Sequence, residues 1–102
     1  MRLDLVGLNH RTAPVEVRER LAFDESRLGD ALDRLCGEFH VPEAVILSTC
    51  NRVEVYAAGP PEAFSADRIV DFLTSYHSLS REVLRPHLYF HSERAAVRHL
   101  LA

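Results

Sequence analysis

Cys50 stands in a run of small polar residues, Ser48-Thr49-Cys50-Asn51-Arg52, between two apolar stretches. That setting separates it from Cys36, which falls on an apolar stripe with Leu32, Leu35 and Phe39 and is expected to be a buried small hydrophobe. A cysteine attacks as its thiolate, and with a pKa of about 8.5 a free thiol is only slightly ionised at neutral pH unless a cation or a set of donors stabilises the anion. Arg52 follows at a spacing that projects it to the same side if the backbone stays extended. Its guanidinium suits either stabilising the thiolate or clamping a substrate carboxylate through two parallel hydrogen bonds. A solvated arginine at a strand end is the bland alternative. Thr49 and Asn51 add a hydroxyl and an amide that fit hydrogen bonding to a substrate or to the oxyanion of an acyl transfer, although both are also ordinary turn residues.

Among the six histidines, His99 is the first candidate to exchange a proton with such a thiol, because Val97, Leu100 and Leu101 around it suggest partial burial. A packing role is the alternative. His10, in the turn Asn9-His10-Arg11-Thr12, is a second candidate for packing or ligand contact, while His40, His77, His87 and His91 read as superficial. None of them is spaced as a metal site, so no metal is expected. A reversible Cys36–Cys50 pair would need Cα atoms within about 7 Å, and helical burial of Cys36 argues against it.

The composition narrows the chemistry further. All twelve basic residues are arginine, so Schiff-base catalysis by a lysine and a Walker A loop are excluded. A net charge of −3 leaves no footprint for strong non-specific binding to DNA or an anionic membrane. No apolar run approaches a membrane span, no signal peptide is evident, and two cysteines do not make a secreted disulfide scaffold. The chain reads as cytoplasmic, and its 102 residues suit one core.

The elements that must position Cys50 follow from apolar period and punctuation. Residues 2–8 alternate as a half-buried strand with Leu3, Leu5 and Gly7 on one face. Pro14 fits the first position of a short helix over 14–21, and Asp24 fits the cap of a longer one running to His40. Strands over 44–47 and 53–57 flank the Cys50 turn, which lacks the glycine of the commonest hairpins. A helix over 62–77, a turn capped by Ser80, a strand over 87–91 and a helix capped by Ser92 complete the order. The apolar pattern of that last helix is still running where the sequence stops, as if cut from a longer protein. Together these predict an α+β domain, a small mainly antiparallel sheet packed with helices in layers of the ferredoxin-like type.

Two separated runs, GLNHRTAPVEVRERLAF at 7–23 and AVILSTCNRVEVYA at 44–57, resemble the amino-terminal catalytic domain of glutamyl-tRNA reductases, which open five-carbon tetrapyrrole biosynthesis. The resemblance covers nearly the whole chain and extends to a last helix bearing His99. It implies that residues 1–102 form the glutamyl-tRNA-binding catalytic domain and that Cys50 attacks the aminoacyl ester of glutamyl-tRNA to form a glutamyl-thioester. Reduction by NADPH to glutamate-1-semialdehyde would then follow in the full enzyme. It also implies that Thr49, Asn51 and Arg52 bind the glutamyl group, with Arg52 on its carboxylate, and that His99 lies near the thiol. The NADPH-binding domain and the helices through which the parent homodimerises would lie outside this chain, which has no glycine-rich dinucleotide loop and is not expected to complete the reduction alone.

Overall fold

The computed structural model describes residues 1–101; the expected continuation of the last helix through Ala102 lies outside them. Four strands, β1 (Arg2–Asn9), β2 (Glu43–Ser48), β3 (Arg52–Gly59) and β4 (Tyr89–Ser92), form one sheet in the order β2-β3-β1-β4 with every neighbour antiparallel. Helices α1 (Val15–Leu21) and α2 (Leu28–Asp33) connect β1 to β2, while α3 (Ala66–His77) and the short α4 (Arg81–Leu84) connect β3 to β4. This β-α-β-β-α-β order is the split arrangement of ferredoxin-like domains, so the α+β expectation holds. A further helix, α5 (Arg94–Leu101), follows β4. No helix among the described residues is long and apolar enough to cross a membrane.

The main core lies on one face of the sheet. Val6 and Leu8 of β1 and Val53, Val55 and Ala57 of β3 alternate onto that face and meet Leu21, Ala31, Leu35 and the α3 residues Ile69, Val70, Phe72 and Leu73, all buried. Leu5 and Tyr56 point the other way and pack on Ala96 of α5. The alternation of residues 2–8 therefore marks two faces correctly, but the strand is not half-buried. Asp4 through Leu8 are all buried, because β1 is central and covered on both sides.

Several element ends differ from expectation for local reasons. The helix expected over 24–40 is a 3₁₀ turn (Glu25–Arg27), then α2, then a π-helical turn (Arg34–Glu38) closed by the Phe39 amide on the Arg34 carbonyl at 3.1 Å. Asp24 makes no capping hydrogen bond. The wide turn slips the apolar stripe by a residue, so Leu35 stays buried while Cys36 is only half-buried, correcting the expectation for that thiol. His40 ends the segment at φ 57°, the left-handed conformation glycine usually supplies.

Helix α3 starts at Ala66 instead of 62, since Pro60 to Ala63 close a separate turn. Ser80 does cap α4, accepting from the Val83 amide at 3.2 Å. The last strand is displaced toward its C-terminal end because His87 belongs to a 3₁₀ turn, where its Nδ1 lies 3.1 Å from the Thr12 carbonyl. Ser92 is not a cap: its hydroxyl donates to buried Asp4 at 2.6 Å, and Glu93, at φ 55°, turns the chain into α5. His77, His87 and His91, expected to be superficial, are half-buried.

Candidate functional site

The turn between β2 and β3 has two residues at its tip, Cys50 and Asn51, with Thr49 and Arg52 closing it. Neither tip residue takes a positive φ, the usual requirement of two-residue hairpins. The Thr49 side chain supplies the alternative. Its Oγ1 accepts from the amides of both Asn51 and Arg52 at 3.2 Å, while the Thr49 amide donates to the Arg52 carbonyl at 2.8 Å. The Cys50 carbonyl accepts from Arg18 Nε at 3.4 Å, tying the tip to α1. Its side chain is left exposed.

Beside this tip lies a cavity of about 510 Å³ lined by Asn9, His10, Arg11, Thr49, Asn51, Arg52 and His99. Three chain segments converge there: the end of β1, the β2–β3 turn and α5. Of the residues singled out from sequence, Thr49, Asn51, Arg52, His99 and His10 share that cavity. Cys50 is not among its lining residues, although its neighbours on both sides are. Asn9 is held by its own turn, its Oδ1 accepting from the Arg11 amide at 2.9 Å and the Thr12 amide at 3.1 Å. No cluster of three or more ligand-type side chains is placed for a metal among the described residues.

Below the cavity lies a polar cluster built on Glu54, whose side chain is fully buried on the α5 side of the sheet. Oε1 accepts from the Tyr56 hydroxyl at 3.0 Å, and Oε2 accepts from the Tyr89 hydroxyl at 2.5 Å. His99 Nε2 approaches Oε2 at 2.6 Å, and Arg52 Nε lies 3.7 Å from Oε1. Burial, followed by the hydrogen bond to Glu54 and the repulsion of its charge, pushes both tyrosines above the ordinary phenol range. They remain donors at any physiological pH. The His99 ring is further held by Tyr89 and His91, each with ring centroids 5.0 Å away.

The relatives of this chain give that arrangement a context. Residues 6–102 match the family described as the N-terminal domain of glutamyl-tRNA(Glu) reductase. The chain belongs to this family. It is 46% identical over 100 residues to a glutamyl-tRNA reductase of Geobacter metallireducens and 50% identical over 96 residues to one of Pseudomonas syringae pv. tomato. Those matches cover 98% and 94% of this chain but 23% and 22% of the relatives, so the chain spans less than a quarter of their length. Among solved structures, a glutamyl-tRNA reductase from Methanopyrus kandleri superposes over 96% of the chain and 21% of its own, with a TM-score of 0.69 at 30% identity.

Within this reductase N-terminal domain, sequence reasoning missed Glu54, Tyr56 and Tyr89. In the run Arg52-Val53-Glu54-Val55-Tyr56 the alternation reads as an apolar inner face and a polar outer one. A signal was present in Gly7, since a glycine inside a strand marks a close approach. Gly7 is the cross-strand partner of Glu54, and a Cβ there would stand 2.8 Å from Glu54 Cγ and 2.9 Å from the Val53 carbonyl oxygen.

Proposed function

We propose that this chain is the catalytic, glutamyl-tRNA-binding domain of a cytoplasmic glutamyl-tRNA reductase, in which Cys50 accepts the glutamyl group. The observation that carries this reading is the convergence of Thr49, Asn51, Arg52 and His99 on one polar cavity beside the exposed Cys50. The glutamyl carboxylate pairs with Arg52, whose terminal nitrogens remain available while Nε leans on Glu54. The Asn51 amide and the donors of Asn9, His10 and Arg11 suit the remaining polar atoms of an aminoacyl ester. His99 takes the thiol proton, sulfur bonds to the ester carbonyl carbon, and the bond from that carbon to the ribose oxygen breaks. His99 returns the proton to the departing oxygen, leaving a thioester on Cys50 and free tRNA.

Reduction of the thioester needs a hydride donor, NADPH in this reading, and the residues described here do not fit one. Neighbouring strands are antiparallel throughout, so among the described residues no strand-helix-strand unit sets two parallel strands side by side. Its glycines lie within strands or helical turns: Gly7 and Gly59 in β1 and β3, Gly29 in α2 and Gly37 in the π turn. In this reading no reduction takes place on this chain alone. Release of the semialdehyde, and dimerisation, fall to the remainder of a longer protein.

Intact-mass measurement after mixing the chain with glutamyl-tRNA tests the acyl transfer. One hydroxylamine-labile glutamyl adduct, retained in Cys36→Ser and lost in Cys50→Ser, is the expected result, with no semialdehyde when NADPH is added. Absence of the adduct from both this chain and the longer protein would overturn the reading.

A further inference from the structure

We propose that Glu54 is a positioning residue for His99: its buried carboxylate holds the Nε2 proton and so leaves Nδ1 as the free acceptor that acyl transfer to Cys50 requires. This rests on the acyl-transfer reading above and assigns a role to a group that no residue motif singled out. The geometry is one of unequal capacities. An ionised carboxylate only accepts hydrogen bonds, and a neutral imidazole carries its hydrogen on one nitrogen or the other. With Glu54 Oε2 at 2.6 Å from His99 Nε2, the proton belongs on Nε2.

The groups around Glu54 enforce its accepting role. Tyr56 and Tyr89 donate to Oε1 and Oε2, and both phenols are pushed upward by burial and by Glu54, so both keep the proton they donate to the carboxylate. Arg52 Nε, at 3.7 Å, adds positive charge beside Oε1 without occupying the His99 side. The Tyr89 and His91 rings restrict rotation of the His99 ring, whose side chain is 27% exposed and lines the cavity. A carboxylate that orients a histidine in this way fixes its tautomer and supports the imidazolium that forms during proton transfer, as in hydrolase triads. A role confined to packing would not require a charged acceptor at a fully buried position.

Two measurements test the proposal. In two-bond ¹H–¹⁵N spectra of the wild-type protein, neutral His99 is expected as the Nε2–H tautomer; an Nδ1–H tautomer would overturn it. In the full-length protein, Glu54→Gln is expected to slow thioester formation about a hundredfold, a size common for a lost or misdirected general base. The glutamyl-tRNA concentration at half-maximal rate should stay nearly constant. In a His99→Asn background the same change should add less than about twofold, since residues acting as a unit are non-additive. Equal loss in both backgrounds would make Glu54 a structural residue and sink the proposal. If Glu54→Gln does not fold, the wild-type tautomer decides by itself. A wild type that forms no thioester yet shows the Nε2–H tautomer overturns the acyl-transfer reading, whereas a thioester with the opposite tautomer overturns the role of Glu54 alone.

Discussion

On one face of the sheet, Val6, Leu8, Val53, Val55 and Ala57 meet a wall of apolar side chains from α1, α2 and α3. On the other, Leu5 and Tyr56 meet Ala96 alone among the buried apolar residues described, and the neighbouring space is occupied by the Glu54 carboxylate and its donors. Both faces exclude water from β1, but the physics differs. The first gains from area removed from water and tolerates apolar exchange of similar volume. The second has little apolar area to gain and persists because the donors are matched to a buried charge, so removing one leaves an unpaired group behind. Stability is concentrated on the first face. The candidate chemistry is concentrated on the second, where the strands also end at the Cys50 turn.

The comparison breaks most severely at Phe72. This ring is fully buried and packs against Phe23, Phe39 and Tyr76. Phe72→Ala is expected to lower stability by about 3–5 kcal/mol through lost transfer energy and the cavity left behind. For a domain of this size that lowers Tm by more than about 12 °C in a thermal melt. The polar face should show its effect differently. Gly7→Ala places a methyl group against Glu54 Cγ and the Val53 carbonyl oxygen, and the backbone atom cannot swing aside. A loss of about 1–3 kcal/mol in urea unfolding is expected, together with near-complete loss of thioester formation because Glu54 must shift. Unaltered acylation in Gly7→Ala would show that the carboxylate position is not critical.

A matched pair of tyrosines sharpens the contrast at lower amplitude. Tyr56 donates to Glu54, whereas the Tyr76 hydroxyl, buried on the other side of the sheet, has no hydrogen-bond partner among the described residues. Tyr56→Phe should cost about 1 kcal/mol, and Tyr76→Phe should be neutral or slightly stabilising, because it removes a polar atom that gains nothing from burial. Equal losses in the two variants, read from urea midpoints, would contradict this division.

The apolar face was legible in the sequence because its signal is local. Ile69, Phe72, Leu73 and Tyr76 recur at helical spacing, Val53 and Val55 at strand spacing, and the α+β layering follows from their order. The Cys50 turn was legible by contrast with its apolar flanks. Its geometry was not, since the Thr49 hydroxyl does the work usually left to glycine. The polar face was hidden for a different reason. Glu54, Tyr89 and His99 are brought together only by the pairing of β1 with both β3 and β4 and by the return of α5, contacts that no window along the chain contains. In isolation, Glu54 reads as an outward residue between two valines. The half-burial of His77 was missed similarly, because it sits at the last turn of α3 where a charged or polar residue is ordinary.

His77 supplies the last test, one that is silent at neutral pH. It lies against Phe23 and Tyr76, with centroids 4.6 and 5.1 Å away, and its Nε2 has no hydrogen-bond partner among the described residues. Burial first, and the nearby Arg27 guanidinium second, lower its pKa from 6.5 to about 4. Between these values the unfolded chain binds a proton that the folded chain refuses, so folding stability falls as pH drops from 6.5 towards 4 and this contribution levels off below. His77→Phe keeps an aromatic ring in the cluster and removes the titration. Plotted against pH, its urea midpoint should parallel that of the wild type above pH 7 and decline less steeply from 6.5 to 4. Matching slopes throughout would mean that the ring meets water freely, and that the apolar side of the sheet is less sealed at this helix end than at Phe72.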